Sequence, residues 1–153
     1  MPNGTERDFH LPCVAATNEQ VEAVERGLGE PLDPDYRAFL EHADGWPAFW
    51  QTVDVFGTRD LGGAAFVAAC EKLGFVESAV LEEVGVRREE LLPIASTPVD
   101  LDLFVMTRAS TREPGIVLWL AGTEVDRFPG FREFFLAITD HNREELARVS
   151  GSS

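Results

Sequence analysis

The stretch from Thr17 to Trp46, TNEQVEAVERGLGEPLDPDYRAFLEHADGW, constrains the fold more than any other part of the chain. It spells two short amphipathic helices around a tight Gly/Pro turn. Thr17 caps the first, with Gln20 placed three residues later to complete a capping box. Val21, Val24 and Leu28 then make one apolar stripe, while Glu22, Glu25 and Arg26 occupy the other faces. Gly29 supplies the left-handed residue at the helix end and Pro31 stops it from resuming. Asp33 caps a second helix whose first residue is Pro34, with Tyr36, Phe39 and Leu40 as its buried face and Asp44-Gly45 as its closing turn. Helices this short hold together only by burying their stripes, so the rest of the chain must supply an apolar surface.

That surface is expected to be a sheet. The segment WPAFWQTVDVFG reads as an aromatic-rich loop entering a strand at residues 51–56, after which Gly57, Gly62 and Gly63 break the chain. Residues 64–73 form a helix with Phe66, Ala69, Cys70 and Leu73 on one face, and residues 77–84 a second, closed by Gly85. Strands follow at 92–95, 100–107, 116–120 and 124–128; in the second, Leu101, Leu103 and Val105 alternate with Asp100, Asp102, Phe104 and Met106. A final helix is expected over residues 131–149, with Phe134, Phe135 and Ile138 inward. Helices first, strands in the middle and a closing helix predict an α+β fold, a single domain of helices packed on a twisted, mainly antiparallel sheet. The expected organisation is an extended leader at 1–16, in which Phe9, Leu11 and Val14 lie on the surface, a domain at 17–149 and a flexible Gly-Ser-Ser tail at 150–153.

Leu28-Gly29, Leu32, Asp35-Tyr36-Arg37, Phe39-Leu40 and Asp44-Gly45 together resemble the N-terminal signature of the SUKH superfamily, the Smi/Knr-like domain. The likeness continues through Leu91 to Ala95, the strand at 100–107 and FPGFREFF at 128–135. The chain departs from the pattern where Asp33 separates Leu32 from Pro34 and where Asp44 replaces the usual Asn, both mild changes because Asp caps and turns as Asn does. The resemblance implies helices gathered against a twisted mixed sheet. For the many bacterial members it implies an immunity protein that neutralises a cognate polymorphic toxin, commonly a nuclease or deaminase. The superfamily also includes eukaryotic regulators and scaffold-like members, so the fold alone does not fix the function.

At 153 residues a single domain buries about 68–70% of its unfolded surface. Its 27 acidic and 13 basic residues give a formal charge of -14 spread along the chain. Such a field disfavours nucleic acid, the basic residues being scattered and outnumbered in both halves. It attracts basic partners and raises encounter rates by on the order of 10 to 10³ at low salt; plain solubility is the alternative reading. The Arg-rich, Lys-poor composition fits a GC-rich bacterial genome. Cys13 and Cys70 stand far apart, as in a reducing cytosol. The first residues lack a signal-peptide pattern and no apolar run approaches the roughly 18 residues of a membrane helix, so a cytoplasmic protein is expected.

Few residues invite chemistry. Asp100 and Asp102, on one strand face, have the spacing of carboxylates that share a metal or divide acid and base roles, and also that of a solvated strand edge; the structural reading is preferred. His10 and Cys13 lack a second pair of metal ligands, and His42 and His141 stand alone. Cys70 reads as a small buried hydrophobe. GTRDLGGAAF lacks the Gly-Lys-Ser/Thr ending of a phosphate loop, Lys72 being too far on. No cofactor, metal or catalytic group is expected. The expected activity is binding to a basic toxin domain. Trp46, Phe49 and Trp50 either seal the core, the preferred role for at least one Trp, or form an exposed anchor. Asp44, Asp54 and Asp60 form an acidic rim, with Asp100 and Asp102 added to the binding set. A regulatory or scaffolding domain and an enzyme built on Asp100 and Asp102 are the two alternatives.

Overall fold

The computed structural model describes residues 12–140. Within them the helical hairpin forms as its caps dictate. Helix α1 spans Asn18–Leu28; the Thr17 hydroxyl accepts from the Gln20 amide at 3.1 Å while the Gln20 side chain accepts from the Thr17 amide at 2.8 Å. Gly29 ends it at φ 77°. Helix α2, Pro34–Leu40, begins under Asp33, whose carboxylate accepts from the Asp35 and Tyr36 amides. Residues 12–16 lie extended beside the α2 exit: Asp44 donates to the Val14 carbonyl and Cys13 to that of Gly45. Val14 points to solvent and Ala16 is buried. Phe9, His10, Leu11 and His141 lie outside the described residues.

Six strands, β1 Trp46–Trp50, β2 Val53–Val55, β3 Leu91–Ser96, β4 Leu103–Thr107, β5 Val117–Leu120 and β6 Glu124–Phe128, form one open sheet in sequence order. Every neighbouring pair is antiparallel, so the mixed sheet implied by the resemblance is replaced by a wholly antiparallel one. Between β2 and β3 lie α3 Thr58–Leu61, α4 Ala64–Gly74, α5 Ser78–Val84 and a 3-10 turn at Arg88–Glu90. Helix α6 starts at residue 131 and continues through 140, the last described residue.

The aromatic rings join helices to sheet. Tyr36 and Phe39 of α2 meet Phe131 at 5.1 and 5.2 Å, and Phe134 lies 5.0 Å from Phe104 of β4. Tyr36 is fully buried and donates its hydroxyl to the Phe56 carbonyl at 2.6 Å, so its one polar atom is satisfied inside the core.

Four local expectations change. Trp46–Trp50 is an edge strand, the place in a sheet where a proline such as Pro47 is tolerated. The alternation expected along β4 is absent: all its residues are buried, as in a strand covered on both faces. Its start also moves, because Asp100, Leu101 and Asp102 lie in the β3–β4 connection rather than in the strand. In addition, the glycine-broken stretch after Gly57 contains the one-turn helix α3.

Candidate protein-binding surface

The aspartates and aromatics singled out by sequence fall into three places. Asp44 and Asp60 stand at the junction where the helical hairpin meets β2 and α3. The Asp44 carboxylate accepts from the Thr58 amide at 2.6 Å and the Thr58 hydroxyl at 2.7 Å, and Asp60 accepts from the Gly57 amide at 2.9 Å. Between them they satisfy the amide of the N-cap residue Gly57 and the first helical amide of α3, that of Thr58. The backbones come so close that a Cβ on Gly57 would lie 2.1 Å from the Asp44 carbonyl oxygen, and one on Gly45, at φ 97°, would lie 2.8 Å from the Gly57 nitrogen. Burial pushes the nearby Tyr36 phenol well above its ordinary pKa, and the Asp60 and Asp44 charges add to that, so it remains a donor.

The aromatic strand forms the second place. Phe49 and Trp50 are 5% and 8% exposed, and Trp46 is half-buried. Phe49 packs 5.0 Å from both Trp46 and Phe135, and Trp50 meets Trp119 edge-on at 5.2 Å. Adjacent strand residues normally face opposite ways. Here Ala48 adopts φ 49° and the pairing with β2 shifts register, while the Asp54 carboxylate accepts the Ala48 amide at 2.7 Å. This bulge turns both rings into the interior. Phe49 and Trp50 therefore seal the core and offer no exposed ring, and Asp54 works on the backbone of β1.

The third place is the β3–β4 connection, residues 97–102, which bends around Lys72 of α4. The ammonium donates to the Thr97 carbonyl at 2.7 Å, the Ser96 hydroxyl at 2.9 Å and the Asp100 and Asp102 carbonyls at 2.9 and 3.2 Å. Three N–H donors thus serve four converging oxygens. The Thr97 hydroxyl is 2.6 Å from that of Thr52 in the β1–β2 turn, and Trp119 donates its indole N–H to Asp102 at 2.8 Å. The Asp100 carboxylate instead accepts the Leu101 amide. The two carboxylates expected to share a strand face are consequently turned to different partners, and nothing in this geometry divides acid from base between them. Sequence reading missed Lys72, and the available signal was that it is the chain's single lysine among 13 basic residues.

Other chemically able groups stay apart. Among the described residues no group of three or more His, Cys, Asp or Glu side chains is placed to hold a metal. Cys70 is half-buried, and burial raises its thiol pKa, opposed by Arg108, which keeps the less nucleophilic form. The His42 Nδ1 lies 3.1 Å from the Ala38 carbonyl, an ordinary helix-end contact. A hollow of about 610 Å³ between α1, α3 and α4 is lined mainly by apolar and small residues such as Val24, Leu28, Leu61 and Phe66. No described helix is long and apolar enough to cross a membrane.

No curated protein matches the chain. The model of the SMI1 / KNR4 family (SUKH-1) matches residues 15–137, which is most of the chain and takes in the helical hairpin, the whole sheet and the start of α6. The chain belongs to the SMI1 / KNR4 family (SUKH-1).

Proposed function

We propose that this domain is a non-catalytic immunity protein that binds and blocks a basic toxin domain, such as a nuclease, in the cytoplasm. The observation that carries the reading is the state of its cations. Acidic residues outnumber basic ones 27 to 13. Of the basic side chains, Arg37 is paired with Glu25 and Glu41, Arg87 with Glu90, Arg108 with Glu30 and Arg127 with Glu124, while Lys72 is engaged inside the β3–β4 connection. Arg26, Arg59, Arg112 and Arg132 are exposed as well, but exposed carboxylates such as Glu71, Glu82, Glu83, Glu89 and Asp100 outnumber the exposed arginines, and the outward field is acidic. A phosphate-binding cleft is lined with opposite charge, and an acidic domain that mimics the substrate's charge competes for it. Membership of a family that includes immunity proteins supports the same reading.

The test is capture of the toxic C-terminal domain encoded beside the gene, followed by survival on co-expression. Capture that weakens with salt, together with rescue, supports the proposal. Absence of both leaves a regulatory or scaffolding domain whose acidity serves solubility.

A further inference from the structure

The three hairpins β1–β2, β3–β4 and β5–β6 close at the same end of the sheet, where Trp50 pairs with Val53, Ser96 with Leu103 and Leu120 with Glu124. Their connections differ in what they expose. The β3–β4 strap presents Val99 and Leu101 at 73% and 63% exposure, with Pro98 and Asp100 exposed between and beside them. Other large apolar side chains are as open, Val14 and Phe75 among them, but Val99 and Leu101 stand two residues apart on one tied loop and so form a paired apolar tip. They are also held still. Lys72 ties the backbone on both sides of Val99 and Leu101, through Thr97, Asp100 and Asp102, and the Val99 amide donates to the Thr97 hydroxyl.

The choice of lysine is informative in a chain whose other basic residues are all arginine. A compact ammonium with three rotatable donors suits a focus of converging carbonyls, whereas a planar guanidinium spreads its donors in a fixed fork, as Arg88 does toward the Leu73 and Val76 carbonyls. We propose that this strap, Pro98 to Asp102, is the docking edge of the domain, and that its occupant is a basic protein surface with an apolar recess that receives Val99 and Leu101. This assignment rests on the immunity reading above and names its contact face. The complementarity is of charge and shape together: Asp100 is exposed between the two aliphatic residues, Asp102 adds its charge from beneath while accepting the Trp119 indole, Asp54 lines the same hollow as Thr97 and Pro98, and the Lys72 ammonium is engaged by the strap's own oxygens. Because the strap is already in place, docking orders few new groups, which lowers the entropic cost of association. The exposed residues of the β4–β5 loop at the opposite end, Ala109, Ser110, Arg112, Glu113 and Pro114, include no large aliphatic side chain.

The experiment titrates the toxic C-terminal domain encoded beside the gene against the wild-type protein, the double variant Val99→Ser/Leu101→Ser, Asp100→Lys, and the charge-matched control Glu82→Lys. Glu82 is exposed on α5, whose end lies with Thr107 and Ile116 at the other end of the sheet. Thermal melts check that each variant is folded. The expected result is tight wild-type capture, at least tenfold weaker binding for the double variant and for Asp100→Lys, and binding close to wild type for Glu82→Lys. Wild-type capture with strap variants that bind equally well overturns the docking edge and leaves the immunity reading standing. Equal losses for Asp100→Lys and Glu82→Lys overturn it too, since net charge alone would then act. No capture by the wild type overturns both.

Discussion

The junction at Gly57 and the strap at Lys72 use the same residue types in opposite ways. At the junction, carboxylates turn inward: Asp44 and Asp60 accept the amides of Thr58 and Gly57, and the side chains are consumed by the backbone. At the strap, one lysine takes the backbone carbonyls, which leaves Val99, Asp100 and Leu101 facing outward. An acidic residue is thus a poor indicator of a binding surface by itself. What decides is which group satisfies the local backbone. Where a half-buried aspartate such as Asp44 or Asp60 does so, it is a strut; where a cation from a distant helix does so, the loop's side chains stay exposed, Asp100 included although it accepts its neighbour's amide.

Variants can break this contrast, and the largest effect belongs to the junction. Gly57→Ala places a methyl 2.1 Å from the Asp44 carbonyl oxygen, against backbone that cannot yield. It should cost about 3 kcal/mol in denaturant unfolding, and near-wild-type stability would show that the junction is looser than described. Asp44→Ala strands the buried Thr58 amide and hydroxyl and should cost about 2 kcal/mol in the same assay. Val99→Ser with Leu101→Ser should reverse the pattern: stability within about 0.5 kcal/mol of wild type, but an affinity loss of at least tenfold, about 1.4 kcal/mol. A double variant that unfolds easily would make the strap a structural element like the junction.

Lys72→Met removes the donor from four oxygens that water can partly reach and should cost about 1 kcal/mol. Amide exchange should quicken across residues 97–102 and stay unchanged at 57–60. The smallest effect is on titration. Burial holds the Lys72 ammonium below its ordinary 10.5, with the Asp102 and Asp100 charges opposing. A folded value below the unfolded one means that this group's proton-linked stability is fully present above 10.5 and is lost as pH falls through the folded value, so it contributes nothing near neutrality. An NMR titration of this single lysine should give a midpoint under 10.5, and a midpoint above that value would show that its oxygen partners outweigh burial.

The contrast also marks what the sequence could disclose. The helical hairpin was legible because its signals are local: Thr17 with Gln20, and Asp33 with Tyr36, are capping pairs three residues apart. The α+β class followed from the order of apolar patterns. The strap was not legible, because Lys72 lies 28 and 30 residues from the Asp100 and Asp102 carbonyls it holds, and no periodicity encodes that meeting. The same distance problem made Asp100 and Asp102 look like the start of β4. At the junction, Asp44 bonds to Thr58, 14 residues on, so its role as a strut was equally hidden behind its charge. Trp50 posed a different difficulty: its burial depends on the bulge at Ala48, a left-handed residue that no glycine announces.

The most direct test of the account is amide hydrogen exchange on the wild-type protein, free and with the toxic C-terminal domain encoded beside its gene. The account predicts new protection across residues 97–102, extending to the neighbouring turns at 51–52 and 121–123, with residues 57–60 unchanged. Protection confined to the junction or to the hollow between α1 and α4, with the strap exchanging as before, would contradict it.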